Sequence, residues 1–130
     1  MKTFAALLVI AWAAVAPIQG AIIAAAILIL SDLITGIVAA RKRGEPITSS
    51  GLRRTVTKLF VFEMGILAGF VAGQYLLSGS PIFTNMVTGI VALTELKSIF
   101  ENLNEISGTD LFKTIVTKLG SQNDPGKGTL

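Results

Sequence analysis

Ala21-Ile22-Ile23-Ala24-Ala25-Ala26-Ile27-Leu28-Ile29-Leu30 is ten residues with no polar side-chain atom, and mostly small or apolar residues continue to Ala39-Ala40, ahead of Arg41-Lys42-Arg43. Only Ser31, Asp32, Thr35 and Gly36 interrupt this second stretch. About 20 residues at roughly 1.5 Å each cover a hydrocarbon core of ~30 Å. The segment reads as a membrane-spanning helix stopped by a cluster of positive charge.

On its C-terminal side come Arg41-Lys42-Arg43-Gly44-Glu45-Pro46, then Thr48-Ser49-Ser50-Gly51 and Arg53-Arg54. With Lys58, this region holds six of the eleven Lys and Arg residues. Gly44 and Pro46 end the helix, and Ser49 or Ser50 is placed to cap the next one. Loops rich in Lys and Arg stay on the cytoplasmic side of a membrane. Arg41, Lys42, Arg43, Arg53, Arg54 and Lys58 are therefore expected to set orientation and to meet anionic headgroups. The loop has no aromatic platform for stacking bases, so nucleic acid is not the expected partner.

Further along, residues 55–77 form a third apolar segment, and Ser78-Gly79-Ser80-Pro81 makes a turn expected outside. Residues 82–93 begin a fourth, in which Glu95 and Lys97 arrive early for a crossing. Leu93, Leu96, Ile99, Phe100 and Leu103 keep helical spacing. One long helix is expected there, its second half emerging into the cytoplasm with Glu95–Glu105 as a solvated face. Glu101 and Glu105 are spaced to meet a partner's basic loop. Thr109 is expected to cap a short basic amphipathic helix at the membrane surface.

At the N-terminus, residues 4–16 are apolar, and Ala14-Val15-Ala16 resembles a signal-peptidase site. Pro17 would occupy the first mature position and hinder cleavage, so the segment is read as retained. Pro17 to Gly20 makes either a turn, giving a tight helical hairpin, or a kink, giving one bent helix. The expected class is an all-α integral membrane protein with three to four transmembrane helices plus a C-terminal amphipathic helix. Its divisions are a transmembrane domain over 1–108, the amphipathic helix over 109–120 and a flexible tail over 121–130. Both termini are expected in the cytoplasm.

Composition agrees. The chain has 130 residues, 52% hydrophobic and 15% charged, with a mean hydropathy of +0.71. Soluble domains carry about 25% charge, and so short a chain cannot hide this much apolar surface. Cysteine and histidine are absent, which excludes disulfides, thiolate chemistry and histidine acid–base catalysis. The net charge of +3 is a matter of topology.

Gly65-Ile66-Leu67-Ala68-Gly69-Phe70-Val71-Ala72-Gly73 contains two overlapping G-x-x-x-G units. Such a face admits close helix contact, between copies or within one chain. Gly36, beside Thr35, offers a second small-residue surface. Asp32 lies nine residues inside Arg41, about 13 Å deep, where an unpaired carboxylate costs several kcal/mol. Glu63 reaches a similar depth, nearly opposite the glycine face. Either these groups meet water or one another in an assembly, or Asp32 pairs with a snorkelling Lys58. No nucleophile or metal-ligand set accompanies them.

Two stretches resemble a known family. Ser31-Asp32-Leu33-Ile34-Thr35-Gly36-Ile37-Val38-Ala39-Ala40 with Arg41–Arg43 and Ser49-Ser50-Gly51-Leu52-Arg53, and later Glu95-Leu96-Lys97-Ser98-Ile99-Phe100-Glu101-Asn102, are similar to small bacteriophage holins related to toxin-secretion holins. The likeness covers roughly residues 4–108. It departs from the family where Ser107-Gly108-Thr109 leads straight into another helix. The resemblance implies a non-enzymatic protein, without cofactor or metal, that oligomerises in the host cytoplasmic membrane and opens lesions. Its partners would be the lipid bilayer, further copies and, without necessary direct contact, an endolysin. Apolar helices alone fit two other classes: a proton-coupled transporter or exporter using Asp32 or Glu63, and a non-lytic membrane or virion component such as an antiholin.

Overall fold

The computed structural model describes residues 2–122, and among these it contains helices and no strand. Helix α1 spans Lys2–Ala14, a 3-10 turn Ala16–Ile18, α2 Gln19–Lys42, α3 Ser49–Leu76, α4 Ile82–Ser107 and α5 Leu111–Gln122. Helices α2, α3 and α4 pack on one another as an antiparallel bundle. Each is long and apolar enough to cross a membrane, as 27 residues counted from Ala16, 28 and 26.

Little of the apolar content is buried within the bundle. Its hydrophobic interior is Ile18, Ala25, Ile29, Ala39, Ile66 and Val91. Outside lie Leu30, Phe60, Tyr75, Ile90 and Leu93, all at least half exposed. Soluble monomers rarely show contiguous apolar surface beyond a few hundred Å². Lipid is the solvent that makes this surface favourable. The chain is thus an all-α protein whose three long helices suit a bilayer.

The N-terminal alternative resolves toward a kink. Pro17 sits in the 3-10 turn, and α1 carries no buried residue, so it does not fold back on α2 as a hairpin. The Gln19 side-chain amide donates to the Trp12 carbonyl at 2.9 Å, satisfying a backbone group that the break frees.

Caps differ from those expected. Thr48, not Ser49 or Ser50, holds the cap position of α3, with extended backbone and no side-chain capping bond. Its hydroxyl lies 2.6 Å from that of Ser50 instead. At α5 the Asp110 carboxylate, rather than Thr109, accepts the Lys113 N–H at 3.0 Å. Helix α4 ends at Gly108 in the left-handed region (φ 70°), its N–H on the Asn104 carbonyl at 2.9 Å. The Asn104 side chain also accepts the Leu111 N–H at 2.8 Å, joining α5 to α4. Of the expected tail, residues 123–130 lie outside the described residues.

Candidate functional site

Each of the three long helices carries an ionisable residue into the bundle at one level. Asp32 on α2 begins a polar turn whose hydroxyls are satisfied locally: Ser31 donates to the Ile27 carbonyl at 2.8 Å and Thr35 to the Ser31 carbonyl at 2.9 Å. This frees the Asp32 carboxylate for partners on other helices. Lys58 on α3 donates to Asp32 Oδ2 at 2.8 Å and lies 3.0 Å from Glu95 Oε1 and 3.1 Å from Oε2 on α4. Asn102, two turns beyond Glu95, donates to Asp32 Oδ1 at 3.1 Å and to Thr35 Oγ1 at 3.2 Å.

Burial decides the character of this cluster. The Glu95 side chain is 0% exposed, Asp32 16% and Lys58 26%. Two carboxylates share one ammonium, leaving a formal surplus of one negative charge at this level. The Asp32–Lys58 alternative is therefore the arrangement within one chain, but with Glu95 as a third member. The expectation of a solvated Glu95 face is corrected: Glu95 points inward, drawn to Lys58 on α3. Lys97, on the outside, pairs with Glu101 at 3.4 Å.

Glu63 stands apart. Both of its carboxylate oxygens are buried with no hydrogen-bond partner. An intramembrane carboxylate in that state is expensive when ionised and marks a functional position more often than a structural one.

The glycine face of α3 is covered by α4 of the same chain. A Cβ on Gly69 would lie 3.0 Å from the Phe83 carbonyl oxygen, and one on Gly73 would run into that of Ser80. Gly65 is roomier, with Val87 Cγ1 at 3.4 Å. Gly36 faces Asn102 Nδ2 at 3.5 Å. The short turn at Ser78 (φ 53°) and Gly79 (φ 86°) makes α3 and α4 neighbours and brings their backbones together here. Within one chain, Gly65, Gly69 and Gly73 meet α4 and the turn that precedes it.

The basic residues divide. Lys42 donates to the Glu105 and Ile106 carbonyls, both at 2.9 Å, closing the C-terminal end of α4. Arg43 pairs with Glu45 at 2.8 Å and with Glu105. The hydrogen bond between Arg43 and Glu45 raises the Arg43 pKa and lowers that of Glu45, partly opposed by desolvation. Glu105 thus meets the basic loop of its own chain. Arg41, Arg53 and Arg54 have no ion-pair partner among the described residues.

The sequence reading does not find the inward Glu95, Asn102 or the Lys42 clamp. The available signal is the seven-residue spacing of Glu95 and Asn102, which places both on one face of a helix. Among the described residues no group of three His, Cys, Asp or Glu side chains could hold a metal ion.

A model of the bacteriophage holin family matches residues 8–121. No curated protein and no solved structure matches the chain.

Proposed function

The chain belongs to the bacteriophage holin family, a family of membrane pore-formers rather than enzymes, and from that premise we propose that it accumulates in the host cytoplasmic membrane, self-associates and opens lesions through which an endolysin reaches the cell wall. The observation that carries this reading is the polar seam of Asp32, Lys58, Glu95 and Asn102 between three long helices that suit a bilayer. Closed on itself, the seam gives each of its charges a partner across the bundle and turns them away from lipid. Opened, it gives each helix a polar stripe to line water, and the desolvation cost of burying the ions is relieved. Glu63 adds a polar group on another face of α3 for contact between copies or with water.

The topology in this reading places the basic α2–α3 loop, the end of α4 and α5 in the cytoplasm. Three crossings put the start of α2 on the outer side. The 13 residues of α1 reach about 20 Å, short of a ~30 Å core. We therefore place α1 in the outer leaflet, in preference to the fourth crossing that a cytoplasmic N-terminus needs.

Inducible expression in a bacterium, with and without an endolysin that lacks a secretion signal, tests the proposal. Growth that stops abruptly, followed by lysis only when endolysin is present, is the expected result. Lysis that never depends on the endolysin, or steady growth in both cultures, contradicts it. The unpartnered Glu63 carboxylate also suits a proton-coupled transporter, which would instead show substrate-dependent proton flux and no protein leakage.

A further inference from the structure

A cleft of about 610 Å³ opens between α2, the α2–α3 loop, the first turns of α3 and α4, with Asp32 and Asn102 among its lining residues. Two features of its walls occur together. Its lining includes Arg43, Arg54 and the hydroxyl-bearing Thr48, Ser49 and Ser50. It also includes the aliphatic Leu33 and Ile37 from α2, and Ile47 and Leu52, which are 53% and 58% exposed.

Of the four charged residues that line the cleft, Asp32, Arg43 and Glu45 are held in ion pairs. Asp32 is paired with Lys58, and Glu45 with Arg43, which also engages Glu105. Arg54 lines the cleft with no ion-pair partner among the described residues. Its neighbour Arg53 carries the same charge and is also exposed but does not line the cleft. A guanidinium among hydroxyl donors matches a phosphodiester. The aliphatic residues alongside would be left against water by a purely ionic ligand, and an acyl chain covers them.

We infer that this cleft binds the headgroup of an anionic phospholipid from the cytoplasmic leaflet. Arg54 holds the phosphodiester, the Thr48–Ser50 hydroxyl pair has one hydrogen left to donate to its oxygens, and the first acyl carbons lie on Ile47 and Leu52. The inference rests on the orientation proposed above and not on lesion formation, so failure of lysis leaves it standing. It goes beyond general attraction to a negative surface, which would treat Arg53 and Arg54 alike.

The test uses the full chain purified in detergent, titrated with phosphatidylglycerol and followed by native mass spectrometry. Arg54→Gln is expected to weaken phosphatidylglycerol binding about tenfold, the scale of one charge-assisted contact. Arg53→Gln should stay within about twofold of the parent, since it keeps the contact. Phosphatidylcholine, whose choline cation would sit beside Arg43 and Arg54, should bind more weakly than phosphatidylglycerol. Leu52→Asn should weaken binding with the arginine intact. Equal losses from Arg53→Gln and Arg54→Gln would reduce the site to diffuse surface charge and overturn the inference. Displacement of the lipid by an equal concentration of glycerol phosphate would make the ligand a soluble phosphate and overturn it too.

Discussion

Lys58 Nζ on α3 lies 2.8 Å from Asp32 Oδ2 on α2, although 26 residues separate them in sequence. The same ammonium reaches Glu95 on α4. One cation therefore fastens three helices, and its removal leaves two carboxylates facing each other in a largely apolar bundle. Lys58→Met should lower stability by about 3–5 kcal/mol, the cost of leaving buried charge unpaired. Adding Asp32→Asn and Glu95→Gln to the same chain should recover most of that loss, because no charge then remains to be compensated. Thermal unfolding in detergent, followed by loss of helix signal, checks both. Losses that simply add would show that the three groups do not act as one cluster.

The α3–α4 contact gives predictions of opposite sign from glycines on the two helices. Gly69→Leu puts a side chain against the Phe83 carbonyl and should cost about 1–3 kcal/mol by overpacking. Gly89, on α4, has nothing within 4 Å of the position that an alanine methyl would take. Gly89→Ala should stabilise by about 0.5–1 kcal/mol through helix propensity alone. Melting temperatures in one detergent compare the two, and a destabilising Gly89→Ala would mean that its face is occupied.

Glu45 provides a pH dependence outside the membrane. Arg43 holds its carboxyl below the usual value of 4.5. A carboxylate depressed on folding adds stability that is present above its unfolded pKa and is lost as pH falls through the folded one. Order in the 43–48 loop should thus be constant from pH 7 to about 5 and decline below about 4.5. Proteolysis of this loop across pH should show the decline in the parent and not in Glu45→Gln. The effect is local and small, since both groups are exposed.

Topology is open to direct labelling, because the chain has no cysteine of its own. Single cysteines at Ile47 and Thr109 should react with an impermeant thiol reagent only after the membrane is breached. Cysteines at Ser80 and Thr3 should react in intact spheroplasts. Protection of Thr3→Cys alone would show that α1 crosses the bilayer after all.

The helical class and the long segments are legible in the sequence because membrane spanning is written in unbroken apolar runs and in where the arginines fall. Residues 21–40 and the basic loop need no tertiary information. Glu95 reads as solvated because its sequence neighbours Lys97 and Glu101 are exposed, and charge content alone cannot say which member of such a group turns inward. Only the register of α4 against α2, fixed at one end by Lys42 on the Glu105 and Ile106 carbonyls, places Glu95 beside Lys58. The glycine motif is legible as a close-packing face, but its partner depends on the α3–α4 turn, a tertiary fact. The cap of α3 falls on Thr48, whose hydroxyl bonds that of Ser50 and caps no backbone N–H.

Lesions large enough for folded protein are the proposed product of this chain in the membrane. The most direct measurement follows membrane potential and release of a cytoplasmic reporter enzyme in the same induced culture, without endolysin. A sudden loss of potential accompanied by release of active enzyme into the periplasm or medium is expected, with a changed onset in Asp32→Leu cells. Depolarisation with the enzyme fully retained would limit the lesion to ions and contradict a protein-sized opening, as would an unbroken potential at full expression.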